Sequence, residues 1–150
     1  MSSIKVILYQ KCMDFVEERI RRSQSAIAAA REAGNEETKS SAGDKYETGR
    51  AMMQLEVEKN SEQLAQSNKL KQALVQVNPE KTSGQVDLGA LVRTDKGIYY
   101  VAIPVGQLTH EGETYFVVSM ASPIGKAMAG KKIQETFELN GKSFQILDIS

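Results

Sequence analysis

No proline occurs in residues 1–78, and apolar side chains recur there every three or four residues. That combination favours long helices over any other regular structure, because proline is the strongest helix breaker and this spacing lines one helical face. One stripe runs Tyr9, Met13, Val16, Ile20, Ser23, Ile27, Ala30, Gly34, with a near-heptad period. A second runs Met53, Val57, Asn60, Leu64, Ser67, Lys71, Leu74 and is more polar; Leu55, Leu70 and Ala73 flank it and are expected to widen its apolar face. Gly34 is placed to end the first helix in a left-handed cap. Asp44-Lys45-Tyr46-Glu47 fits a capping box that opens the second helix. Two helices of about 30 residues would form an antiparallel hairpin roughly 40–45 Å long at the standard rise per residue. Such a hairpin has a narrow seam and little core, so it is expected to accompany a globular base.

The pattern changes at Val77-Asn78-Pro79-Glu80-Lys81-Thr82-Ser83-Gly84. All three prolines and most glycines follow, together with short alternating runs. This places a boundary between a helical part, 1–78, and a β-rich part, 79–150. Val86 to Val92, Ile98 to Ile103 and Thr114 to Ser119 read as strands, with a turn at Thr94-Asp95-Lys96-Gly97. Phe137-Glu138-Leu139 and Ser143 to Leu147 flank Asn140-Gly141, a two-residue hairpin signal. Between them Ser122 is an N-cap candidate, Pro123 suits the first helical position, and Gly130 follows the last turn. The expectation is an α+β chain: a coiled-coil hairpin, then about five strands with one short helix.

Charge and composition narrow the function. Lysine plus arginine and aspartate plus glutamate each total 19, and the two halves divide 12 to 11 and 7 to 8. Neither half is a basic module, which argues against non-specific DNA binding, and no sequence-specific DNA partner is expected. Cys12 is the one cysteine and His110 the one histidine, so an intramolecular disulfide, a cysteine-rich zinc site and a two-histidine site are excluded. No apolar run is long enough for a membrane span, and the first residues lack the order of a signal peptide. A cytoplasmic protein with no membrane partner is expected.

No phosphate loop, zinc-type histidine motif or nucleophile elbow occurs. Thr109-His110-Glu111-Gly112 reads as a polar turn with a solvent-exposed histidine, and Cys12 as a small buried hydrophobe. Arg19, Arg21, Arg22 and Arg31 interleave with Glu17, Glu18 and Glu32, as on a salt-bridged solvent face; contact with RNA or protein is the other use of such a face. The chemistry-bearing cluster is at the inter-helix turn. Glu36, Glu37, Asp44 and Glu47 are four carboxylates within twelve residues. Carboxylates of this kind hold Mg²⁺ when water and phosphates complete its shell, and a metal so held can activate water. Helix capping and loop solvation are the alternative roles, and Lys39, Lys45 and Arg50 oppose the local negative charge.

Ser122-Pro123-Ile124-Gly125-Lys126-Ala127-Met128-Ala129-Gly130-Lys131-Lys132 resembles the C-terminal signature of the bacterial GreA/GreB transcript-cleavage factors. Ala28-Ala29-Ala30-Arg31-Glu32-Ala33-Gly34 is similar to the motif ending that family's first hairpin helix, and Tyr46 to the tyrosine after its tip. The resemblance covers nearly the whole chain. It implies a coiled-coil finger on an FKBP-like domain that docks on RNA polymerase, with Ser122, Pro123, Ile124, Gly125 and Lys126 as partner-binding residues. It further implies a finger that enters the polymerase secondary channel as a monomer, where tip carboxylates help hold Mg²⁺ and backtracked RNA is cut. Such a factor is not itself an enzyme, and it meets nascent RNA only within the polymerase complex. Asp44 and Glu47 are the candidate catalytic groups, and Glu36, Glu37, Asp44 and Glu47 the candidate metal ligands. The Gly34-to-Tyr46 interval is longer than the family's by four residues, so these carboxylates stand near the family's positions and not on them. A regulator that occupies the channel without cleavage is therefore the alternative. A peptidyl-prolyl isomerase and a coiled-coil adaptor are lesser ones, since a shared fold does not fix function.

Overall fold

The computed structural model describes residues 3–40 and 44–150, with side chains described for residues 3–35 and 48–150. The chain is α+β. Helices α1 (Ile4–Ser40) and α2 (Asp44–Val75) are followed by strands β1 (Leu91–Thr94), β2 (Gly97–Val101), β3 (Gly106–His110) and β4 (Glu113–Val118). Helix α3 (Pro123–Met128) and strands β5 (Thr136–Leu139) and β6 (Lys142–Ile149) complete the order. Two compact units result: Phe15–Lys71, and Met1–Asp14 with Gln72–Ser150.

The helical unit follows the expected stripes. Along α1, Ser23, Ile27 and Ala30 are buried, with Ile20 and Gly34 half-buried. On α2, Met53, Val57, Asn60, Leu64 and Lys71 are half-buried and Ser67 is buried, so the more polar stripe still marks the inward face. The helices run hairpin-like: Glu17 meets Lys71 at 4.0 Å, and Gly34 lies against Met53. Two expectations fail. Leu55 and Ala73 are exposed and do not widen the seam. Gly34 does not end α1, which continues to Ser40. A Cβ built on Gly34 would sit 3.5 Å from the Met53 Cβ, an ordinary contact, so the glycine is accommodated within a continuous helix and helix approach does not require it.

In the second unit six strands form one mixed sheet in the order β3-β4-β2-β1-β6-β5. β2 and β4 are parallel, and every other neighbouring pair is antiparallel. Asn140 and Gly141, at φ 54° and 77°, make the expected hairpin turn between β5 and β6. β6 carries a bulge against β1: Arg93 faces Asp148 and Thr94 faces Ile146, leaving Leu147 unpaired and exposed. The expected strand at 86–92 is corrected. Ala90 N–H donates to Asp87 O at 3.1 Å and Gly89 has φ 92°, so 87–90 is a turn and the strand begins at Leu91. β3 is a sixth strand beyond the five expected.

Strand alternation gives the sheet two apolar faces. Val101 joins Val86, Ala90, Val92, Met128, Phe137, Phe144, Ile146 and Ile149 in one core, where Phe137 and Phe144 stack at 4.9 Å. Ile98 and Tyr100 point to the other face, with Tyr115 and Val117 beside them by register. There the Tyr100 hydroxyl neighbours Tyr9 and Cys12 of α1. Leu8, Cys12 and Leu74 are wholly buried, so turns from both helices contribute to this unit's core.

Candidate functional site

Helix α3 holds the residues expected to bind a partner. Ser122 sits at the N-cap in extended conformation, and Pro123 opens the helix. The Ser122 hydroxyl donates to Ser119 O at 2.6 Å and accepts from Gly125 N–H at 3.0 Å. Gly125 is buried, and a Cβ there would lie 2.1 Å from Ser119 O and 3.0 Å from the Met120 backbone. Ile124 packs on the sheet core, and Gly130 closes the helix at φ 76°. Of the five residues, Ser122, Ile124 and Gly125 therefore shape and seat the helix. Pro123 and Lys126 are exposed on it.

The inter-helix turn held the other candidates. The side chains of Glu36, Glu37, Asp44 and Glu47, with that of Tyr46, lie outside the described residues. α2 does begin at Asp44. Among the described residues no group of three His, Cys, Asp or Glu is placed to hold a metal ion. Beside the turn, Ala30, Arg31, Gly34, Arg50, Met53 and Val57 line a crevice of 270 Å³. Further along α1, Glu18 bridges Arg21 at 2.6 Å and Arg22 at 3.2 Å, and the two guanidinium groups hold its carboxyl below the usual range. Arg19 lies 5.4 Å from the Phe15 ring. This is the salt-bridged, solvated face that the interleaved charges suggest.

Cys12 is wholly buried, and burial pushes its thiol up to about 12, which suppresses the reactive thiolate. It packs as a small hydrophobe. His110 is corrected. It ends β3 instead of standing in a turn, its side chain is only 25% exposed, and the turn is Glu111-Gly112 at φ 50° and 80°.

The chain matches no known family profile and no curated protein. Strand β3 has no counterpart in the sequence reading, where Thr109-His110-Glu111-Gly112 reads as a polar turn. Leu108 is the one aliphatic residue in β3, too few for a period-two signal, although Glu111-Gly112 is a usable hairpin cue. Among the described residues no helix is long and apolar enough to cross a membrane.

Proposed function

We propose that this chain is a Gre-type regulator of RNA polymerase, with residues 79–150 forming a docking domain of FKBP-like type and residues 1–78 a finger that enters the secondary channel. In this reading the factor is cytoplasmic and monomeric, and it stimulates the polymerase's own cleavage of backtracked RNA. The observation that carries the proposal is α3. Its motif is built as a capped helix whose serine and glycine are committed to local geometry, which leaves Pro123 and Lys126 exposed to meet a partner. The helix pair ahead of a mixed sheet supplies the matching element order.

Mg²⁺ held jointly with the polymerase would activate the attacking water. Asp44 and Glu47, with Glu36 and Glu37, are this chain's groups for that role. The test is a backtracked elongation complex incubated with the protein and Mg²⁺. The expected result is shortened RNA, with the shortening lost on Asp44→Ala combined with Glu47→Ala. Tight polymerase binding with intact RNA would remove cleavage from the proposal.

One observation favours channel occupancy without cleavage as the second reading. α1 runs through Gly34 to Ser40, past the glycine whose counterpart ends that family's first hairpin helix. The backbone of Glu36 and Glu37 then falls within α1. The same assay separates the two readings, because an occupant slows elongation and leaves the RNA length unchanged.

A further inference from the structure

Among the described residues the outer edge of β3 has no strand beside it. An open edge presents unpaired N–H and C=O groups, and proteins ordinarily guard it with a lysine, a proline, a bulge or an inward charge. Gly106-Gln107-Leu108-Thr109-His110 contains no lysine, no acid and no proline, and it pairs with β4 in unbroken register. A Cβ built on Gly106 or on Gly112 meets nothing within 4 Å, so space is open at both ends of the strand.

At the His110 end this edge meets a groove of 420 Å³ lined by Ile4, Ile7, His110, Glu111, Glu113 and Tyr115. The register sets His110 opposite Glu113 and Leu108 opposite Tyr115, so these four side chains share one face of the sheet. It is the face opposite the core beneath α3. Ile4, Ile7 and Tyr115 are the groove's apolar lining, and Glu111 and Glu113 its carboxylates. The Glu111 side chain is 86% exposed and that of Glu113 is 51% exposed. Glu113 is ion-paired to Arg93 at 3.8 Å, and Glu111 has only the His110 ring beside it, at 3.9 Å. Residues 105–115 contain no lysine or arginine of their own.

We propose that the β3 edge is a docking site for an extended segment of a partner protein that carries an apolar residue and, two residues on, a lysine or arginine. Main-chain bonds to the free edge supply affinity, and alternate side chains supply specificity. Period two puts both of those side chains on the groove face, beside Leu108 and His110 of β3, where the cation also reaches Glu111 in the adjoining turn. A second copy of the chain is a poor occupant. Pairing two β3 edges brings no cation to either carboxylate pair, since this stretch has none to offer.

The test uses the full chain, labelled for amide NMR, titrated with the peptide Thr-Val-Thr-Val-Thr-Lys-Thr-Lys. The expected result is shifts and slowed hydrogen exchange confined to β3 and the Glu111-Gly112 turn. Binding should weaken about tenfold or more when glutamate replaces lysine in the peptide, and likewise in the Glu111→Gln, Glu113→Gln variant. Both substituted side chains are substantially exposed, so the variant keeps its fold. Equal binding of the two peptides overturns the proposal, as do insensitivity to the double variant, shifts on β5 instead of β3, or no shift up to the peptide's solubility. Sedimentation that shows the unliganded chain to be a dimer broken by Thr109→Pro overturns it in favour of self-pairing. None of these outcomes depends on polymerase binding.

Discussion

At the residue scale, Gly125 is the position with the least freedom. A methyl group there would lie 2.1 Å from a backbone oxygen, which no side-chain rotation relieves. Gly125→Ala is expected to cost about 2–4 kcal/mol, read as a lowered urea midpoint, because α3 must lift from the sheet. Ser122→Ala removes only the cap and is expected to cost about 1 kcal/mol. Neither variant isolates docking, since both act through the shape of α3. Lys126→Glu does: the side chain is exposed, so under the proposed function polymerase binding should weaken while the denaturation midpoint stays put. Tyr100 poses the opposite case. Its hydroxyl is wholly buried and has no hydrogen-bond partner among the described residues. Leaving such a group unsatisfied costs about 1–3 kcal/mol, so Tyr100→Phe is expected to be neutral or stabilising in the same measurement.

At the element scale, Gly34 decides between two pictures of α1 by the sign of one substitution. As the left-handed cap suggested by the sequence, it would resist alanine. Within a continuous helix, Gly34→Ala should stabilise by about 0.5–1 kcal/mol through helix propensity, because the new methyl makes only ordinary contact with Met53. Thermal melts of the full chain give the sign. The reason for the misreading is physical: a glycine permits a helix end without requiring one, and α1 continues through it. The stripes themselves were legible because seven-residue periodicity survives polar substitution. Asn60, Ser67 and Lys71 face inward on α2 despite their chemistry. Hairpin turns and the α3 cap were legible for the same reason, being short-range chemistry. β3 was not, because an edge strand is specified by its neighbour's pairing more than by its own hydrophobic pattern. The sheet's order was not legible either, since the parallel pairing of β2 with β4 depends on contacts far apart in sequence.

At the scale of the whole molecule, the balanced charge leaves burial to set the response to pH. Four groups in the sheet unit matter on the alkaline side, and for one of them, Tyr99, burial raises the hydroxyl above its ordinary 10.0. Burial raises the Cys12 thiol from an ordinary 9.0 to about 12. Burial, with Cys12 and Tyr9 nearby, also raises the Tyr100 hydroxyl above its ordinary 10.0. Burial lowers the Lys5 ammonium below 10.5, partly offset by Asp87, where Lys5 Nζ donates to Lys81 O at 2.6 Å. The folded chain therefore keeps protons on Cys12 and Tyr100 that the unfolded chain releases, and stability falls as pH rises through 9 for the thiol and through 10 for the phenol. Lys5 acts in the reverse sense: unfolding takes up a proton just below 10.5, so its share of stability grows with pH there. The interval from pH 9 to 10 is where the thiol acts ahead of Tyr100. Across it, Cys12 alone should remove about 1 kcal/mol, close to the limit of 1.36 kcal/mol per pH unit for one proton. Cys12→Ala will lower stability by a constant amount from lost packing, and it should also flatten the pH dependence over that interval by the same ~1 kcal/mol. Lys5 and Tyr99 are common to both proteins and cancel in the difference between the two curves, and Tyr100 nearly does, because burial, the larger cause of its shift, persists without Cys12. Urea unfolding of the wild type and the variant, followed under reducing conditions at pH 9 and pH 10, gives that difference directly. Parallel curves would mean that the thiol ionises as readily in the folded chain as in the unfolded one, and that the Leu8–Cys12–Tyr100 side of the sheet is open to water.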